Sequence, residues 1–362
     1  MQSEWWYAYS DDELATVARD TDSFLESNPE IRGGFSNSVW LLHGLVQLVP
    51  VTETNLFSGN LHPLFEAEAD LRASTTQVRF GLYKQALSGL RGVLELGLLS
   101  VYWDIDDTAH IDIQDWLQGR EDTPGFSAVG RKLLKLPAVQ AALERDPDLF
   151  ERGKSLYREI SGFAHSRGYR KSTAGLVLQS NRPLFSADAM LKWVTLRDRV
   201  LNLVLIFHLL KYPSGLQVTP LSQKLGMNTP VGGFVEPSVR DRFLAHLGPS
   251  MAAILQEISD ADERAQSAAN YFQNLPDYPV ESWREDILKQ DKEWIAMMGY
   301  DDWRRTHDVR PEMPHESQRD KIRRANYGDR LRVWAESEEL LTREDAARKY
   351  KASGDEGLNR NS

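Results

Sequence analysis

Residues 63–103 read PLFEAEADLRASTTQVRFGLYKQALSGLRGVLELGLLSVYW, and their pattern decides the fold class. Leu82, Ala86, Leu90, Val93, Leu94, Leu98 and Val101 recur three or four residues apart, which places them on one face of an α-helix. The stretch predicts one long helix from about Pro63 to Trp103. Gly81, Ser88 and Gly92 fall within about 40° of one another at 3.6 residues per turn. Each mid-helix glycine costs roughly 1 kcal/mol relative to alanine, so these small residues predict a second helix backbone close against them. Arg91 and Glu95 stand at i and i+4, placed to pair.

Helical periodicity continues on both sides. Ser10 and Glu13 form an S-x-x-E capping box ahead of Leu14, Val17, Thr21, Phe24 and Leu25. Pro29 and Gly33–Gly34 are stop signals, and a second helix is expected over Asn37–Val49. Further helices are expected at Ser127–Leu136, Asp148–His165, Ser186–Lys211, Ser238–Leu247 and Pro249–Phe272, with another starting at Thr342. The only strand candidates are GLVLQ and PLF between Thr173 and Phe185. The expectation is therefore an all-α protein with at most a small β-hairpin. It is organised as an N-terminal helical region (1–60), a helical bundle (61–212) and a C-terminal helical region (213–362), the last boundary set by Tyr212-Pro213-Ser214-Gly215.

The chain has 362 residues, of which 41% are hydrophobic and 27% charged, enough apolar material for a packed core. It contains no cysteine, which excludes a disulfide scaffold, thiolate metal sites and a cysteine nucleophile. No apolar run approaches the roughly 20 residues of a membrane span. The acidic start, MQSEWWYAYSDDE, lacks a basic leader, so a cytoplasmic protein without a membrane partner is expected. No phosphate loop, dinucleotide fingerprint or nucleophile elbow is present, and no cofactor or metal is expected.

The net charge is −10, yet residues 151–212 hold 11 basic and 4 acidic residues. This concentration of positive charge points to an anionic partner. Within it lies Ser155-Leu-Tyr-Arg-Glu-Ile-Ser-Gly-Phe-Ala-His-Ser-Arg-Gly-Tyr-Arg-Lys171. Seven residues apart on a helix, Arg158 and His165 lie within about 20° of each other. Gly162 and Ser161 lie between them, while Leu156, Ile160 and Phe163 point the opposite way. A histidine can move a proton during attack of a ribose 2′-hydroxyl on the adjacent phosphate. An arginine can balance charge developing on the phosphoryl oxygens. Arg167, Arg170 and Lys171, just beyond the helix, would bind backbone phosphates of RNA.

This pattern resembles the HEPN superfamily of compact helical bundles, in which an Arg is followed, after four to six residues, by a His. Six residues separate Arg158 from His165 here, and LRGVLELGLLSVYW, with Arg91 and Glu95, is similar to the preceding helix of HEPN-like proteins. The likeness covers about residues 61–212. It implies a metal-independent endoribonuclease, often with a composite site across a homodimer, of a kind that recurs in toxin and phage-defence systems. Glu159 departs from the Asn, Asp or His that usually follows the Arg in family nucleases. The same helices equally suit a non-catalytic interaction or dimerisation module.

Other polar groups carry weaker signals. Asp104, Asp106, Asp107, His110, Asp112 and Asp115 read as a solvated acidic loop. His43, His62 and His208 read as hydrogen-bonded structural histidines. Residues 303–332 are Arg-rich, with Trp303, Tyr327 and nearby Trp334 interleaved, and read as a basic surface arm of the kind that suits single-stranded nucleic acid.

Overall fold

A computed structural model describes residues 9–49, 61–103, 109–165, 167–177, 182–217, 221–225, 232–308 and 318–349. Among these there is no strand, so the fold is all-α. Among the described residues the expected hairpin does not form: Thr173–Leu176 is a helical turn and 182–186 is irregular, while residues 178–181 lie outside the described residues. Ser172 accepts from the Gly175 amide and starts that turn, an N-cap that outweighs the apolar content of GLVLQ.

The chain divides into two compact units, Met1–Pro276 and Asp277–Ser362. In the first, α1 (Asp11–Ser27) opens on the expected capping box, with Ser10 and Glu13 exchanging bonds. Helix α1 stops at Ser27, with Asn28 as its C-cap before Pro29 as expected, and Pro29 also starts α2 (Pro29–Leu45) at its first turn, where a missing N–H costs nothing. Gly34 lies inside α2, where a β-carbon would approach Arg197 Nη2 to 3.0 Å.

The predicted long helix is two helices, α3 (His62–Arg79) and α4 (Tyr83–Trp103), packed against each other. Gly81 (φ 73°) turns the chain. Its amide donates to the Val78 carbonyl at 3.0 Å and that of Leu82 to Gln77 at 2.8 Å, the paired bonds of a Schellman stop. The helices α5 (Ala109–Leu117), α6 (Phe126–Leu133) and α7 (Pro137–Arg145) lead to α8 (Leu149–Ala164). A short α9 (Thr173–Leu176) precedes α10 (Ala187–Lys211), which is buried nearly all round.

Helix α4 is the axis of this unit, contacting α3, α8 and α10. Gly97 lets α10 come close, since a β-carbon there would meet Val204 at 2.9 Å. Two interior polar groups pair across helices: Trp193 Nε1 donates to Ser74 Oγ at 2.8 Å, and Ser74 Oγ donates to the Ala86 carbonyl at 2.7 Å.

The unit continues past residue 212, unlike the expected division. Tyr212, Gly215 and Leu216 are buried, and Ser259 Oγ donates to the Pro213 carbonyl at 2.6 Å. After the short α11 (Leu221–Leu225), α12 (Pro237–Leu247) and α13 (Pro249–Ala261) pack on α10, and α14 (Glu263–Gln273) follows an Asp262 cap.

The second unit holds α15 (Val280–Met298), α16 (Tyr300–Asp308), α17 (Gln318–Ser337) and a final helix over 343–349. Its core contains Ile295, Tyr300, Trp303, Leu331, Ala335, Leu340 and Ala346. The backbone at 340–342 is part of this packing. The amides of Tyr300 and Asp301 donate to the Leu340 and Leu341 carbonyls at 2.8 and 2.9 Å. Gly299 (φ 83°) has no room for a side chain, because a β-carbon would lie 2.4 Å from the Thr342 carbonyl carbon. The last helix starts at Thr342 as expected, with Thr342 Oγ1 accepting from the Asp345 amide and the Asp345 carboxylate accepting from the Thr342 amide.

Candidate functional site

Helix α8 presents Leu156, Ile160 and Phe163 to the core and ends at Ala164, with His165 as its exposed cap residue. The imidazole turns towards α4: His165 Nε2 lies 3.0 Å from Arg91 Nη1. A guanidinium only donates, so this contact requires a lone pair on Nε2. Arg91 Nε donates in turn to Glu95 Oε1 at 3.0 Å, the i, i+4 pair expected from the sequence. The same carboxylate oxygen accepts from the Tyr157 hydroxyl at 2.8 Å. The Arg91 guanidinium lies 5.4 Å from the Tyr157 ring centre, and Phe126 stacks on Tyr157 with centroids 5.4 Å apart. Burial opposes the Arg91 charge, but the bond to Glu95 and its field hold the guanidinium pKa above its ordinary value. Burial, and then the bond to Glu95, raise the Tyr157 phenol.

Arg158 is exposed and runs the other way. Its Nε makes a long 3.4 Å contact to the Lys154 carbonyl one turn back, and its charge acts on Glu151. Side chains on a helix lean towards its N-terminus, so two residues on one stripe need not meet. The guanidinium beside His165 is that of Arg91. Glu159 pairs with Arg199 of α10 at 2.9 Å.

Of the trailing basic residues, Arg167 and Arg170 are exposed. Lys171 folds back on α8: its Nζ donates to the Glu159 carbonyl at 3.1 Å and lies 5.4 Å from the Phe163 ring centre. It fills the space over Gly162, where a β-carbon would come 2.1 Å from Nζ. The small-residue face between Arg158 and His165 thus receives a side chain of the same protein. Lys171 supplies a cation to carbonyls near a helix C-terminus, a favourable placement.

The remaining candidates have structural roles or lie outside the described residues. Asp104, Asp106 and Asp107 are outside, as are the side chains of His110 and Asp112; Asp115 pairs with Arg120 at 2.7 Å. His43 pairs with Glu68 at 3.2 Å. Among the described residues no three metal-ligating side chains cluster. In the Arg-rich stretch, Trp303 is buried and donates to Asp291 Oδ1 at 3.0 Å, while the Tyr327 hydroxyl donates to Asp291 Oδ2 at 2.7 Å. These two aromatics belong to the core of the second unit. A cavity of about 660 Å³ in that unit is lined by Trp334, Lys292 and Lys349, but Lys292 sits over Trp334 and Lys349 pairs with Glu338.

No protein-family model, curated protein or solved structure matches this chain. Among the described residues no helix is long and apolar enough to cross a membrane.

Proposed function

We propose that this protein is a metal-independent endoribonuclease of HEPN type, with His165 as proton carrier and Arg91 as the nearest charge-stabilising group. The observation that carries this reading is the exposed imidazole whose Nε2 holds a lone pair 3.0 Å from a guanidinium. An RNA 2′-hydroxyl replaces Arg91 at Nε2 and passes its proton there as its oxygen bonds to phosphorus. The bond from phosphorus to the 5′-oxygen breaks, and water protonates the departing oxygen. Arg91, released but still held by Glu95, turns to the phosphoryl oxygens. Arg158, Arg167 and Arg170 supply attraction for the RNA backbone.

The second reading, a non-catalytic module that docks a partner or a second copy, is favoured by the closure of Lys171 over Gly162. Labelled RNA incubated with chelator separates the two. Wild type is expected to leave 2′,3′-cyclic phosphate ends. His165→Ala should lose about 100-fold or more in rate, Arg91→Ala should lose activity strongly, and Arg158→Ala less. Identical products from wild type and His165→Ala, or none from wild type, would remove the nuclease reading and leave the module.

A further inference from the structure

Four residues past His165 the chain carries an exposed aromatic ring, whose hydroxyl makes a long 3.4 Å contact to the Ala174 carbonyl. Tyr169 is 60% exposed, in a unit whose other large aromatics mostly serve the core. Exposure of a large ring on a mobile loop would mean little. This ring stands on a turn whose backbone is held at several points. Gly168 (φ 82°) enters it in a conformation that disfavours side chains, and the Lys171 amide closes it on the Gly168 carbonyl at 3.1 Å. The Tyr169 carbonyl accepts from the Ser172 amide at 2.9 Å and from Ser172 Oγ at 2.7 Å. Gly175 of α9 packs on that carbonyl so closely that a β-carbon would lie 2.0 Å from its oxygen. Lys171, the last residue of the turn, is tied to α8 through the Glu159 carbonyl.

The flanking charges are available. Arg167 and Arg170 are both exposed, and among the described residues neither has an ion pair. The turn therefore offers an aromatic face between two cations that pair with no carboxylate among the described residues, with the backbone ordering already in place. Base stacking on an aromatic ring combined with cations along a phosphate backbone is how proteins hold single strands. A duplex keeps its bases stacked internally and cannot offer one to the ring.

We infer that Tyr169, between Arg167 and Arg170, is a stacking platform for one base of single-stranded RNA. This assignment deepens the nuclease reading by naming the form of RNA that site takes, but binding at Tyr169 is measurable without cleavage.

The test measures fluorescence anisotropy of a labelled oligouridylate, and of a labelled RNA duplex, in the His165→Ala background. Tyr169→Ala should weaken binding of the single strand about tenfold, within the range measured for loss of one stacked base. Tyr169→Phe and Tyr169→Trp should retain it. Arg167→Ala and Arg170→Ala should each lower the salt dependence by about 0.7 in log–log slope, which Tyr169→Ala should leave unchanged. Unaltered thermal unfolding of Tyr169→Ala accompanies the expected result. Unchanged affinity in Tyr169→Ala, an equal loss with duplex, loss in Tyr169→Phe, or no single-strand binding by the parent protein would overturn the inference. Tyr169-dependent binding together with a wild type that cuts nothing would sink the nuclease reading and leave the platform standing.

Discussion

His208 lies wholly inside the first unit, with Nδ1 2.8 Å from the Val204 carbonyl and Nε2 3.0 Å from Ser100 Oγ. A carbonyl only accepts, so Nδ1 carries the hydrogen and Ser100 donates to Nε2; a neutral ring satisfies both contacts. Burial depresses its pKa from 6.5 to about 4. Because the folded value is the lower one, the unfolded chain takes up the proton first as pH falls. The associated stability is complete above pH 6.5 and is lost as pH falls towards about 4, an effect of roughly 3 kcal/mol. Urea midpoints should therefore drop between pH 7 and pH 5 in wild type, and drop less in His208→Gln. A flat wild-type profile across that interval would contradict the assignment. The structural role of His208 was legible from its place in an apolar run. The partners of His165 were not, since a helical wheel gives the angle of Arg158 but not the lean of its side chain along the axis. Nor does local spacing show that Tyr157 meets Glu95, 62 residues away.

At the scale of elements, apolar periodicity located the main helices but misjudged some of their ends. Gly81 shows why. Its place on the wheel with Ser88 and Gly92 fitted a packing face, yet it performs the other task of glycine and stops α3 in a left-handed conformation. Replacing it with alanine should cost about 1–2 kcal/mol from backbone conformation alone. It would also force a β-carbon to 2.9 Å from the Leu184 carbonyl oxygen. Gly92→Ala meets only the tip of Asp70, a side chain able to swing away, and gains about 1 kcal/mol of helix propensity. Thermal unfolding should therefore show a clear loss for Gly81→Ala and none for Gly92→Ala. Equal losses would mean that α3 and α4 are joined differently.

At the scale of the whole molecule, all-helical architecture followed from period alone, whereas the division into units did not. Tyr212-Pro213-Ser214-Gly215 carries every local mark of a linker, but a turn signal reports how the backbone bends and not whether the bend is covered. Here Ser259 and neighbouring helices cover it. The boundary near Pro276 has weaker punctuation, yet the chain beyond it owns a separate core built around Ile295, Trp303 and Leu331. Residues 277–362 expressed alone should give helical circular dichroism and a single cooperative urea transition. A non-cooperative, gradual change would show that this core needs the rest of the chain.

The carbonyls of Leu340 and Leu341 receive the first amides of α16, and Thr342 rests on Gly299. A stop codon just after Ser337 would spare every long helix and still take away the clasp that holds them. Loss of those residues would then resemble a lesion in the middle of the second unit, and the exposed positions among 338–349, unlike buried Leu340 and Ala346, should tolerate polar exchanges far better than deletion.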